Sequence, residues 1–512
     1  ADPLQAAAGA GAGARAGGQG VSRFGLDWGT RIEGISRVAG WWTAWLGFVF
    51  FFALLAILLQ LEALIGPQGI LPARDLLTAA RAALPWSDRV GQFPTLYWLG
   101  TSAGVLHGVT LAGLAAAVAV MARWHARVGV AVCLAAFLSF LAVAQVFASY
   151  QSDGMLMTAG FIALFLDARR PSAWSWFSLR WLWFTIYFGS GMAKLLSGDP
   201  EWRHLTALDH YYENGPLPTW LGWYAQQHLP HFAEAGLALA TLGLELGLAW
   251  LCFGPRRARI TLFWIATPFQ LGLILTANYG FLNWLVLGLG LSLLDDRHVN
   301  WILRRERETG APHAVMADWR TKAASAPLIA LVLLTGGNLM QRLWTGFPAP
   351  QAVNRGLEPF RVTDPFGLFA VMTRARYEIE FQGSPDGVHW TAYPFRFKPQ
   401  DPHRAPGMYG PYQPRFDWNL WFASLASYQQ DPWVEQVELR LLANDKAVTG
   451  LFAGNPFATR APRAVRAVLW QYWFSTPTQK HAEGIWWTRK LLGLYAPVLV
   501  MTPNGPAQMP LS

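Results

Sequence analysis

Lys194 is the residue whose type and placement best suit chemistry. It is the only lysine before Lys322, and every other Lys or Arg position before Lys322 is an arginine. A lysine gives up its proton when desolvated, whereas an arginine effectively does not. Lys194 is therefore a candidate general base; the competing reading is a lysine snorkelling at the end of an apolar segment. Glu245 sits in the middle of another apolar run. Facing lipid there, a carboxylate would cost about 2.5–3.5 kcal/mol, so it should turn toward the bundle interior. Gly243 and Gly247 form a GxxxG pair suited to close helix packing, and Glu245 points away from that face, toward a cavity. Rise per residue puts Glu245 about 10 Å deeper than Lys194, so an ion pair between them needs a water or a third group. His107, in a separate apolar run, completes the catalytic candidates. Its other reading is an interhelical hydrogen bonder, like Gln145, Gln270, Asn278 and Asn283.

A second set of polar groups crowds the connection 197–230. Asp199, Trp202, Arg203 and His204 open it, and Asp209, His210, Glu213 and His228 follow. Such a connection between two hydrophobic segments is a place to expect function. Histidine and carboxylate suit zinc, but the spacings match no common ligand pattern, so no metal is expected. Cys133 and Cys252 both lie in apolar runs. That excludes a disulfide framework, a thiol redox centre and a cysteine-based zinc site. GxGxxG, P-loop, HExxH and GxSxG patterns are absent, so the chain carries no soluble-enzyme signature.

These residues must be held by membrane helices. Of 512 residues 53% are hydrophobic and only 14% charged, with 28 tryptophans, the profile of a multi-pass membrane protein. The net charge of +9 reads as a topology signal rather than a nucleic-acid footprint. Segments of roughly 20 apolar residues cross a bilayer. They predict nine transmembrane helices at 41–64, 100–122, 128–149, 150–167, 173–196, 231–254, 258–277, 279–294 and 325–344. The fourth is weak, its clean core lying between Asp153 and Asp167. Nine crossings gather the arginine clusters near 123–127, 169–170, 256–259 and 297–307 on one side. The other side's loops carry only Arg74, Arg81, Arg89 and Arg203. The positive-inside rule then puts the N-terminus in the cytoplasm and both the 197–230 loop and the C-terminal region outside.

The expected organisation is a disordered tail (1–35, opened by an Ala/Gly tract), a transmembrane helical bundle (36–346), and an extracytoplasmic mixed α/β domain (347–512). Leu76–Leu84 reads as an interfacial amphipathic helix, and Pro268 should kink its span. In the outer domain Arg376–Gln382 alternates with period two before the turn Ser384-Pro-Asp-Gly387, and Val388–Phe397 returns as its hairpin partner. That suggests a sandwich-like hairpin unit, with helices near 417–429, 461–474 and 483–494. Arg376, Lys398, Arg415, Asp417, Trp418 and Trp421 are the outer-domain candidates for a surface shared with the 197–230 loop and a client, since tryptophans beside charges make anchors. The alternative is that the 417–422 run DWNLWF packs only on its own domain.

The run SGMAKLLSGDPEWRHLTALDHYYENGPLPTWLGWYAQQHLP closely resembles the lipase maturation factor family. So do GPQGILPA (66–73), TANYGFLNWL (276–285), TDPFGLFAVMTRARYEIEFQG (363 onward) and FRFKPQDPHRAPGMYGPYQPRFDWNLWFASL (395–425). The resemblance spans about residues 40–475. It implies a polytopic membrane factor that helps secreted lipases or other exported proteins mature. In animals such factors reside in the endoplasmic reticulum; for a bacterial-type member the inner membrane is implied. The outer region is free of cysteine, which argues against a thiol-based role. A more distant likeness, aromatic-[FG]-x-G-x-x-K-L before an acidic-Trp element, is similar to the membrane domain of vitamin K-dependent carboxylases. It implies, as the alternative, a membrane enzyme with Lys194 as base acting on a quinone or lipid-like substrate. No cofactor is otherwise expected beyond a bound lipid or quinone. The implied partners are an exported client and membrane lipids, not nucleic acid.

Overall fold

The structure, a computed structural model, describes residues 30–32, 34–169, 171–304, 314–316, 319–348 and 351–509. Most of the expected N-terminal tail lies outside these residues. Its last part is ordered: strand β1 (Thr30–Ile32) pairs antiparallel with β2 (Ala314–Met316).

The bundle opens with α1 (Ser36–Leu58) and the short α2 (Ala73–Ala83). Then come α3 (Ala103–Met121), α4 (Ala126–Leu141), α5 (Gln151–Leu164) and α6 (Ala173–Leu196). The polar connection carries α7 (Trp220–His228), started by the Thr219 hydroxyl accepting from Gly222 N–H. Next is α8 (His231–Phe253), α-helical to Leu242, with a π turn over Gly243–Gly247 and a tighter 3-10 stretch from Leu248. α9 (Arg256–Thr276), α10 (Leu282–Leu293) and α11 (Trp319–Leu343) complete the bundle.

A helix lies within each of the nine expected spans. Five of them, in α1, α3, α8, α9 and α11, are long and apolar enough to cross a membrane; α4 and α10 are apolar but shorter. In α5 almost every residue is buried, Asp153 included, and most of α6 is too. The weak hydropathy of the fourth segment has this origin: its partners are protein, not lipid. α9 continues through Pro268 as one element.

The C-terminal domain holds a six-stranded sheet of β3 (Arg376–Ser384), β4 (Thr391–Ala392), β5 (Ala464–Phe474), β6 (Trp487–Leu494), β7 (Leu499–Thr502) and β8 (Gly505–Gln508). Their order is β4-β3-β5-β7-β8, with β6 also on β5. The expected hairpin return survives only as the two-residue β4. The main partner of β3 is β5, in antiparallel register from Arg376↔Tyr472 to Ser384↔Ala464. The helices expected at 461–474 and 483–494 are thus strands. β5 is largely buried without strict alternation, and such a run cannot be told from a buried helix by period alone. Two helices cover the sheet: α12 (Arg415–Ser424), which was expected, and α13 (Trp433–Leu442), which was not. Buried side chains of bundle and sheet, Phe137 and Phe147 through Ile379 and Phe416, form one contiguous apolar core.

Candidate functional site

Ser190 and Lys194 lie four residues apart on α6, hence on one face, and both reach a segment more than 170 residues away. The Lys194 ammonium donates to both oxygens of Glu245, each at 2.8 Å, and to the Leu368 carbonyl at 3.1 Å. Lysine and glutamate are both buried, and the Trp202 ring lies 5.0 Å from the nitrogen. The third group expected between the charges is therefore not needed. The four-carbon stem reaches down from the end of α6, and the π turn sets Glu245 into the bundle. Gly243 and Gly247 do not make a packing contact: a Cβ at either would meet nothing within 4 Å.

Those glycines line a cavity of about 780 Å³ between α6, α8, α9 and α10, which ends at the Lys194–Glu245 pair. Within it Tyr187 donates to Gln270 at 3.0 Å, and Gln270 donates to the Asn283 side-chain oxygen at 2.9 Å. His107 is elsewhere: its Nδ1 contacts the Ala103 carbonyl of its own helix at 2.8 Å and lies 3.9 Å from Glu62. It joins neither the pair nor the cavity.

Leu368 belongs to a strap, 366–374, that the bundle and the polar connection grip residue by residue. Arg342 donates to the Phe366 carbonyl, Gln151 bonds both backbone groups of Gly367, and Ser190 accepts from Leu368 N–H. Trp202 donates to the Phe369 carbonyl at 2.9 Å, and Asp199 accepts from Met372 N–H at 2.6 Å. Asn214 donates to Thr373, and Arg374 reaches Glu201 at 3.1 Å. Close approach needs glycine on both sides. A Cβ on Gly189 would stand 2.6 Å from the Phe366 carbonyl oxygen, and one on Gly367 would stand 2.8 Å from the Ala193 Cβ.

Three further ties join the halves. Arg376, fully buried, donates to the backbone of Glu213, Gly215 and Pro216 and pairs with Glu378. Glu213 in turn accepts from Phe474 N–H at 2.7 Å; burial holds its carboxyl above the usual value, opposed by that bond and by Arg376. Arg415 makes a two-pronged pair with Asp153 at 2.9 and 2.7 Å, both side chains wholly buried, and donates to the Phe147 carbonyl. Asn278 bonds Leu217 and Pro218 on one side and Gly407, Tyr409 and Gly410 on the other. Asp153 and Asn278 had no role legible beyond flanking or packing, because their partners lie far along the chain.

The remaining candidates divide by exposure. Lys398 is buried, pairing with Glu378 at 2.7 Å and donating to the Ile379 carbonyl. Asp417 is buried beside it, its carboxyl pushed up to about 7 by burial, with Lys398 opposing. Trp418 and Trp421 are also buried. Arg203, His204, His210 and His228 are exposed, His228 resting on Trp223 and Tyr224. The three histidines expected in the loop do not converge. Among the described residues, Asp209, His231 and Glu234 do bring ligand-type atoms within 4.8 Å of one another, His231 touching Asp209 at 3.1 Å.

Comparison with known proteins follows this division into bundle and sheet domain. The family described as lipase maturation factor transmembrane domain matches residues 38–301, and lipase maturation factor C-terminal domain matches residues 362–497. Lipase maturation factor 1 of Bos taurus is 31% identical over 93% of this chain and 90% of its own length. Lipase maturation factor 1 of Homo sapiens is 30% identical over 94% and 90%, and lipase maturation factor 2 of Gallus gallus 30% identical over 87% and 79%. No solved structure matches the chain. The runs SGMAKLL and TDPFGLF, far apart in sequence, are the two sides of the Lys194 clamp, and with these matches they place the chain in the lipase maturation factor family.

Proposed function

We propose that this protein is a membrane-embedded maturation factor that receives partly folded lipases, or similar exported proteins, on its C-terminal domain. The names of its relatives support the client class. Arginine-rich loops on one side of the expected spans support a cytoplasmic N-terminus and an extracytoplasmic sheet domain, in a bacterial inner membrane for a chain of this type. The domain division that goes with this reading is a helical bundle to about residue 346 and a sheet domain after it.

The observation that carries the client surface is strand β6. It pairs only with β5 among the described residues, and Leu491, Leu492 and Leu494 on it are exposed. Native proteins protect open edges unless they use them, and an unpaired apolar edge captures extended segments of a partly folded chain by adding a strand. The test is Leu491→Lys with Leu492→Lys, in cells whose output of active secreted lipase depends on this protein. Output should fall severalfold while membrane levels of the factor stay normal. Unchanged output would remove β6 from the client surface.

The cavity ending at Lys194 favours a ligand-binding second reading, in the sense expected for an enzyme acting on a lipid-like molecule. The lysine itself speaks against that chemistry. Both oxygens of Glu245 and the Leu368 carbonyl hold its nitrogen, contacts it would have to give up to act as a base.

A further inference from the structure

The bundle cavity has the makings of a site distinct from the client surface. Its volume of about 780 Å³ falls in the range of roughly 300–1,000 Å³ typical of pockets that enclose small molecules. Leu237, Leu248 and Ile265 line it, and the same side chains are 44%, 37% and 41% exposed on α8 and α9. Both helices are membrane-crossing by length and composition, so the mouth opens sideways into hydrocarbon rather than into water. A molecule entering there comes from the bilayer and brings a hydrocarbon chain.

Two features define the rest of that molecule. The only charged groups among the lining residues are Lys194 and Glu245, and they neutralise each other at 2.8 Å. An ionic head group would find no counter-charge, and burying it unpaired is expensive. The Asn283 amide offers a donor instead: it lines the cavity, is 5% exposed, and its Nδ2 has no partner. A buried donor left unmade costs about 1–3 kcal/mol, which an incoming acceptor oxygen would recover. We infer that the cavity between α6, α8, α9 and α10 binds an uncharged membrane lipid, its hydrocarbon chain at the lateral mouth and an ester-type carbonyl accepting from Asn283.

Three glycines make the inference testable without touching the ion pair. Gly243, Gly247 and Gly272 line the cavity, and a side chain at each has free space ahead of it. Gly236, on α8 but outside the lining, serves as control. The full-length protein is placed in phosphatidylcholine nanodiscs with a trace of a diacylglycerol bearing a diazirine on one acyl chain, and in parallel with the free diazirine fatty acid. After illumination, labelled peptides are mapped by mass spectrometry. Wild type and Gly236→Leu should both be labelled by the diacylglycerol on α8 and α9. Gly247→Leu with Gly272→Leu should lower that labelling about tenfold, the change that 1.4 kcal/mol of lost binding produces. If the double variant loses its cooperative unfolding, Gly243→Leu alone provides the same comparison. Equal labelling of open and filled proteins, or labels spread around the whole bundle, would mean adventitious lipid only and overturn the site. Stronger cavity labelling by the fatty acid carboxylate than by the ester would overturn the uncharged class.

Discussion

Replacing Lys194 alone leaves the Glu245 carboxylate buried without its cation. Breaking a buried pair from one side costs about 3–5 kcal/mol, whereas replacing both partners with apolar groups of similar size is often neutral. Lys194→Met should therefore abolish accumulation of folded protein, and Lys194→Met with Glu245→Leu should restore it, with client maturation regained in parallel. A folded double variant that matures nothing would instead assign the lysine a chemical role. Lys194→Arg does not separate a base from a scaffold. The lysine is packed under Trp202 and Phe369 with three acceptors in place, so a bulkier guanidinium would fail for reasons of fit. Sequence marked Lys194 and Glu245 as unusual because charge in apolar runs is visible at once. It could not reveal Leu368, since a backbone carbonyl carries no residue signature.

The strap 366–374 depends on how closely α6 lets it approach. Gly189→Ala puts a methyl 2.6 Å from the Phe366 carbonyl oxygen, and backbone cannot yield as a flexible side chain would. Overpacking of this kind costs typically 1–3 kcal/mol. Thermal unfolding should fall by several degrees, and protease should cut near 366–374 sooner. Gly104→Ala, on an open face of α3, should change neither. A Gly189→Ala protein as stable and as resistant as wild type would show that the strap is not held closely. Period and length made α12 and the Arg376 strand legible, because each shows its own pattern. β5 was misread because burial in a sheet, and β6 because pairing along β5, decides its conformation rather than local alternation.

At the scale of the whole molecule, the two domains recognised as separate families are welded through Arg415–Asp153, Arg376–Glu213 and the Lys194 clamp. Cutting the chain after residue 361 would leave Asp153 buried without Arg415 and the Lys194–Glu245 pair without the Leu368 strap that covers it. Such a truncation should yield an aggregating, protease-sensitive bundle rather than a client-blind but folded one. A well-folded 1–361 fragment would overturn the weld. The sequence by itself determined the membrane class, the positions of the apolar helices and the family. Hydrophobic run length and arginine placement are local quantities that need no partner. Only the tertiary structure decided that Asp153, Arg376, Lys398, Arg415 and Asp417 are buried, that Lys194 meets Glu245 directly, and that a lipid-sized space lies beside them. Each of these turns on which distant segments share a low-dielectric interior, and that is set by packing between elements rather than by any stretch of chain alone.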